Sequence, residues 1–503
     1  MNDTLPIVCA LLAALAGLAL VRWRFDPLYS IPTVGPSAPF LSYLGAYRYY
    51  RHAPEVLQEG YSRYKVFKVA MVDRWLVVVS GSDMNEELCK VPDSHMNFEE
   101  ALREFIQTKY TIAPDAEKYP IYMAAIRGPL TRNLGVVFAD LADEVQTAFK
   151  EVLPVQGDEW VAVPVIRSMA KIVAHATNRV FVGLPFCRNE EYLNTVVNFT
   201  FDVVKGRIIL SYVPQLFKGI VGSMLPWSKI AIRKVGIFIK PIVEERLRNL
   251  REYGDGWADK PNDYLMWLMD EAKKTGGSPD VVVSAVLASN FAAVHTSSNS
   301  ITHAIYHLAA NPEYMQPMRE EIEAVIKEQG WTKVAVGKMW KLDSFMRESQ
   351  RINGIVSIAV MRKVLQDYTL SDGTYLPAGT LVAGAALATH YDEKHYKRAD
   401  VFEPFRFSDM RAEESERTKH QFASTSPTYI PFGHGKHACP GRFFAANKLK
   451  LMMAHIILNY DVKLEGTTTR PANWTCWHDN LPACDAKVLF RKRQAVIAAE
   501  SQR

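Results

Sequence analysis

Residues 432–441 read FGHGKHACPG. Gly433, Gly435 and Gly441 let a backbone turn sharply and come close to a neighbour. Downstream, Leu449, Met452, Met453, Ile456 and Ile457 recur at helical spacing as one apolar stripe, so a helix follows the loop. Pro440 is expected inside the first turn of that helix, where a missing N–H has no cost. Cys439 then stands at a helix N-terminus, where free N–H groups and the macrodipole favour a thiolate. A thiolate held in a glycine-rich loop is what an axial ligand to haem iron requires. Two other readings compete. GHGKHA satisfies the GxGxxA dinucleotide pattern, but Pro431 spoils the preceding strand and Cys439-Pro440 the continuation. A buried structural cysteine is the second.

The composition is that of an ordinary globular protein: 503 residues, 48% hydrophobic and 22% charged. Disordered, collagenous and coiled-coil chains are excluded. Lys+Arg of 59 against Asp+Glu of 54 gives a net charge of +5, too diffuse for a nucleic-acid partner. The six cysteines form no CxxC, which removes zinc ribbons and thioredoxin-type motifs. A chain of this length buries an adequate core without disulfides, so reduced thiols are expected.

Residues 5–21, LPIVCALLAALAGLALV, carry no charge and as a helix span about 26 Å, near the ~27 Å hydrocarbon thickness of the endoplasmic reticulum. A cleaved signal peptide would want a basic residue before the run, yet only Asp3 precedes it and Arg22 and Arg24 follow. By the positive-inside rule the body is cytosolic. The expected organisation is therefore a membrane anchor over 1–24, a proline-rich hinge over 25–40 containing IPTVGP, and one catalytic domain over 41–503. Strands are expected at 66–72 and 75–79, joined at Asp73-Arg74, and again within 368–382. Helices are expected at about 86–105, 139–151, 241–252 and 344–352.

Residues 281–310 contain no Asp, Glu, Lys or Arg. Ser278-Pro279 predicts a capped start and Asn311-Pro312 the end. Ser289, Asn290, His295, Thr296, Ser297, Ser298, Asn299 and Ser300 stud its middle, which argues against a second membrane span. A helix buried through the core is predicted, its polar centre partnered by a cofactor or water.

The cysteine loop resembles that of the cytochrome P-450 family, FxxGx(R/H)xCxG, with Phe432, Gly435, His437, Cys439 and Gly441 filling the pattern. The resemblance implies a mainly α fold with small β-sheets, the triangular helical haem domain, here behind a single N-terminal transmembrane helix. It implies haem b, with Cys439 as the iron ligand and His437, Arg362 and Arg127 as propionate partners; Arg127 lacks the family's tryptophan four residues earlier, which is Met123. The family's ExxR and FxPxRF motifs stand at Glu348/Arg351 and Phe402-Glu-Pro-Phe-Arg406-Phe407, implying a structural network of Glu348, Arg351 and Arg406. ExxR alone says little, since Glu100/Arg103, Glu245/Arg248 and Glu414/Arg417 share its spacing, where an exposed i,i+3 pair is expected.

The long helix takes the place of the one crossing the distal face of haem. Members often read (A/G)Gx(D/E)T there; this chain reads Ala292-Ala293-Val294-His295-Thr296. Thr296 matches, as a hydroxyl for dioxygen and water, while His295 replaces the acid, either passing protons or packing the helix. Ala292, Ala293, Ile355 and Val356 are implied as substrate wall. Together the motifs look like the fungal microsomal branch, where oxidations of terpenoids and other secondary metabolites are common. The implied activity is a monooxygenase of the endoplasmic reticulum membrane, using dioxygen on a lipophilic small molecule. No flavin or nicotinamide site is apparent, so electrons are expected from a separate NADPH–cytochrome P-450 reductase. Lys436, Arg442, Lys448 and Lys450 are read as a basic cluster for an acidic partner or as solvated charge. A haem-thiolate isomerase or dehydratase, and a non-enzymatic haem protein, stay open.

Overall fold

The computed structural model describes residues 4–494. Helices dominate, and four small sheets flank them among the described residues. The largest sheet has five strands in the order Val66–Ala70, Trp75–Val79, Leu381–Gly384, Ala359–Val364 and Met96–Asn97. Its first two strands form the hairpin expected around Asp73-Arg74, with Val66 opposite Val79 and Ala70 opposite Trp75. Trp75–Val79 also pairs in parallel with Leu381–Gly384, across most of the chain. The strand-rich stretch near 368–382 supplies the small ladder Tyr368–Thr369 with Tyr375–Leu376.

The helices expected at 139–151, 241–252 and 344–352 lie inside Phe138–Val152, Trp227–Tyr253 and Trp340–Ile352. The single helix expected over 86–105 is instead two, Ser82–Lys90 and Phe98–Ile106. Pro92 restricts the residue before it and donates no helical N–H. Met96–Asn97 then joins the sheet opposite Val364 and Lys363, and the Asn97 side chain caps the second helix by accepting from Glu100 N at 2.9 Å.

The long helix runs Pro279–Ala310 and packs against Val165–Phe181, Glu190–Ser211, Trp227–Tyr253 and Arg442–Asn459. Ser278 occupies the cap position without a side-chain bond, so Pro279 and the first-turn Asp280 carry the start. Most of this helix is buried. Where a cofactor or water is expected as partner, Ser289 and Asn290 are met by protein groups. Ser289 Oγ donates to Ala285 O at 2.7 Å and lies 2.6 Å from Tyr264 Oη. Asn290 Oδ1 accepts from Asn178 Nδ2 at 2.8 Å.

At the N-terminus, Thr4–Arg24 is one helix, long and apolar enough to cross a membrane. Leu15 and Leu18 are 61% and 65% exposed, so the body does not cover them. In the proline-rich segment Leu28, Ile31 and Val34 are buried. Val34 N donates to Lys68 O and Lys68 N to Pro32 O, fixing that segment to the first sheet.

Candidate active site

Cys439 N donates to Phe432 O at 2.7 Å and closes the loop. Gly433 and Gly435 hold φ of +67° and +69°, and a Cβ on Gly435 would also come 3.2 Å from Cys89 Cβ. Glycine is required there on both counts. The following helix begins at Arg442 with Gly441 as its cap, so Pro440 precedes the helix and does not sit in its first turn. The backbone geometry of Cys-Pro-Gly adds a turn between thiol and helix. Burial pushes the Cys439 thiol pKa up, against the N–H groups of Gly441 and Arg442 and the Arg442 guanidinium, which pull it down. A bound cation is the group that reverses this balance. The apolar stripe Leu449, Met452, Met453, Ile456 and Ile457 is buried as expected.

Arg362, on strand Ala359–Val364, tests whether haem fits. Its guanidinium is 1% exposed, Nη1 donates to Met361 O at 2.8 Å, and Nε and Nη2 have no partner among the described residues. Burial lowers its pKa, Cys89 and Asp93 opposing. Two orphaned donors on a buried cation are costly unless a carboxylate reaches them, and a haem propionate is such a carboxylate. His437 Nε2 lies 2.7 Å from Asp93 Oδ1, with its ring 5.5 Å from Phe98. Arg127 is exposed on the turn Ile126–Leu130; the neighbouring Ile126 side chain lies 3.7 Å from where a Gly441 Cβ would be. Phe432 packs edge-on against Phe422 at 5.7 Å. The donor set fits haem: a thiol in a glycine-rich loop, and a buried guanidinium with two donors unpartnered among the described residues.

Glu348 and Arg351 are fully buried. Arg351 Nε and Nη2 each donate to the Glu348 carboxylate at 2.7 Å. Arg406 Nε donates to Glu348 Oε1 at 3.2 Å and Nη1 to Lys397 O at 2.6 Å. Arg351 Nη1 reaches His390 O at 2.6 Å and Ala399 O at 2.7 Å. His390 Nε2 in turn accepts from Ile430 N at 3.1 Å, linking the network to the start of the cysteine loop. By contrast, Glu100 and Arg103 form the partly exposed pair expected of a bare ExxR.

A second buried network was not foreseen. Asp343 accepts from Lys450 Nζ at 2.7 Å, Arg411 Nη1 at 3.3 Å and Phe422 N at 2.8 Å. Arg347 donates to Ser424 O at 2.8 Å and stacks 3.6 Å over Tyr429. The available signal was the four-residue spacing of Asp343, Arg347 and Arg351, which reads equally as a solvated face. Lys448 and Lys450 are buried, so the basic cluster around the loop reduces to Lys436 and Arg442. Each long aliphatic stem is drawn inside with a polar partner at its tip.

On the central helix, Ala292 is exposed and Ala293, His295 and Thr296 half-buried, within an otherwise covered element. Thr296 Oγ1 donates to Ala292 O at 2.7 Å. His295 Nε2 lies 3.4 Å from Asn299 Nδ2; burial lowers its pKa, the Asp479 carboxylate draws it up and Arg207 pushes it down, for a net lowering. Ile355 and Val356 are half-buried, and the hairpin carrying Asp479 covers them: Asn480 N donates to Ile355 O at 2.9 Å and Asp479 bridges to Val356. Arg207 pairs with Asp479 there. Neither residue belongs to a motif, and only the approach of distant elements reveals them.

The family model Cytochrome P-450 matches residues 32–475. The chain is a cytochrome P-450. It is 59% identical to cytochrome P-450 monooxygenase 71 of Postia placenta over 99% of this chain and 100% of that protein. It is 40% identical to cytochrome P-450 monooxygenase CYP512U6 of Ganoderma lucidum, over 98% of this chain and 97% of that one. Cytochrome P-450 monooxygenase paxQ of Penicillium paxilli is 30% identical over 93% of both. This cytochrome P-450 is accordingly a monooxygenase with haem b as cofactor. When bound, the haem supplies the iron at which dioxygen is activated.

Proposed function

We propose that this cytochrome P-450 oxidises a terpenoid or similar lipophilic fungal secondary metabolite at the endoplasmic reticulum membrane, with electrons from a separate NADPH–cytochrome P-450 reductase. Cys439 would hold the iron, Arg362, His437 and Arg127 the propionates, and Glu348, Arg351 and Arg406 the loop. The observation that carries the reading is the turn Ala292–Thr296. It is the open part of a covered helix, walled by methyl groups and offering only Thr296 and His295 as polar side chains. Such a surface suits an apolar substrate and the handling of a few protons. Ile355 and Val356 would extend the apolar wall. Conversion of a terpenoid library in a host supplying reductase should give products one oxygen atom heavier by mass spectrometry. Conversion confined to other lipophilic classes would refute the terpenoid assignment.

Thr296→Ala tests the oxygen chemistry. Alanine keeps the helix, so haem and substrate binding should persist while NADPH consumption is diverted into hydrogen peroxide. A dioxygen-free isomerase would show no such uncoupling. His295→Ala in parallel should slow turnover with a solvent isotope effect if the imidazole passes protons, and leave the rate unchanged if it only packs.

Deleting residues 1–24 should convert an integral protein into one extractable by salt or mild detergent. A residual attachment is expected through the apolar stretch 208–227, whose Leu216 and Phe217 are 83% and 51% exposed on helix Gln215–Met224, while Leu225 is buried. Retention as a fully integral protein would overturn the single-span reading.

A further inference from the structure

Lys448 lies on the helix Arg442–Asn459 that follows the cysteine loop, and it is fully buried. Its Nζ donates to Thr177 Oγ1 at 2.8 Å and to Ala293 O at 3.2 Å, and stands 5.0 Å over the Phe444 ring. Its two hydrogen-bond partners among the described residues are neutral. Burial alone lowers its pKa, to about 7. Lysines in such surroundings are rare, because an amine out of water without an acid destabilises the fold.

The carbonyl it touches belongs to the accessible turn of the central helix, Ala292–Thr296. Ala292 O takes the Thr296 hydroxyl at 2.7 Å, and the next carbonyl, Ala293 O, takes Lys448 at 3.2 Å. Extra donors on successive helix carbonyls compete with the N–H ladder and bend the helix locally. We propose that Lys448 is a positioning residue for the reaction: by donating to the Ala293 carbonyl it ties the helix that follows Cys439 to the turn Ala292–Thr296 and sets the direction of the Thr296 hydroxyl. The proposal rests on Thr296 being the oxygen-side hydroxyl. It explains why a buried amine without an acid sits between these two elements, where a methionine would fill the same volume without the cost.

The test uses the full-length, haem-loaded protein. Lys448→Met should keep haem and raise the denaturation midpoint, since it removes a buried amine. It should nonetheless shift the C–O stretch of the carbonmonoxy form and raise hydrogen peroxide per NADPH about fivefold, the loss of one ordinary hydrogen bond. Thr177→Val removes the amine's other partner and should leave the C–O stretch and the peroxide yield at wild-type values. An unchanged C–O stretch in Lys448→Met overturns the proposal, as does an equal shift in Thr177→Val. Should Lys448→Met fail to fold, Lys448→Arg retains a donor and should keep the wild-type stretch; its loss likewise overturns the proposal. Thr296→Ala separates the two readings. If it uncouples while Lys448→Met does not, only the lysine assignment falls; if it does not uncouple, the oxygen-side assignment falls first.

Discussion

Cys439→Ser is expected to abolish the red-shifted Soret band that reduced protein shows with carbon monoxide, and with it all turnover. The substitution changes one atom. Serine keeps the Cys439 N to Phe432 O bond that closes the loop and the positive φ values of Gly433 and Gly435, so the loop should still form. What disappears is the soft, anionic sulfur that iron requires. The N–H groups of Gly441 and Arg442 and the Arg442 guanidinium, which favour the thiolate, then face a hydroxyl that does not ionise in the same range. Reduced carbonmonoxy spectra of purified variant and wild type decide the matter. A retained thiolate band in the serine variant would mean that another cysteine holds the iron; Cys89, on helix Ser82–Lys90 and packed against Gly435 of the loop, is the first candidate.

The second large effect is expected at Glu348. Its carboxylate answers two guanidiniums, and Arg351 has no exposure through which to recover water. Burial lowers the Arg351 pKa and the Glu348 carboxylate raises it, with a net rise, so the cation is held in place by that acid. Glu348→Ala strands the charge and should cost about 3–5 kcal/mol, a large share of the stability of an ordinary domain. Because Arg351 also fixes the His390 and Ala399 carbonyls, and His390 fixes Ile430, the loss should propagate to the cysteine loop. Folded yield and haem content should fall together. Chemical denaturation and haem quantification check both, and normal haem content in a folded Glu348→Ala protein would refute the structural role.

The sequence by itself determined the parts whose physics is local. FGHGKHACPG had to turn closely because of its glycines, and the stripe from Leu449 to Ile457 had to form a buried helix after it. The uncharged run 281–310 had to be one long helix between Pro279 and Pro312. Thr4–Arg24 had to be an apolar helix. The ExxR and FxPxRF residues could be paired through the family resemblance, and the Glu348 ion pairs follow it closely. The tertiary structure alone decided what depends on which element comes beside which. The break of the helix near Pro92 is driven by pairing of Met96–Asn97 with a strand more than two hundred residues away. Asp343 with Lys450 and Arg411, and Arg207 with Asp479, meet only after the chain folds back on itself. Lys448 read as surface charge, because a lysine in a sequence is most economically placed in water. Its burial follows from packing of the helix after Cys439 against the central helix, which leaves Thr177 and the Ala293 carbonyl as the polar groups its amine can reach. Backbone propensity and apolar periodicity are carried by neighbouring residues and can be read along the chain. Hydrogen-bond partners of buried charges are set by distant elements, and the sequence holds no local record of them.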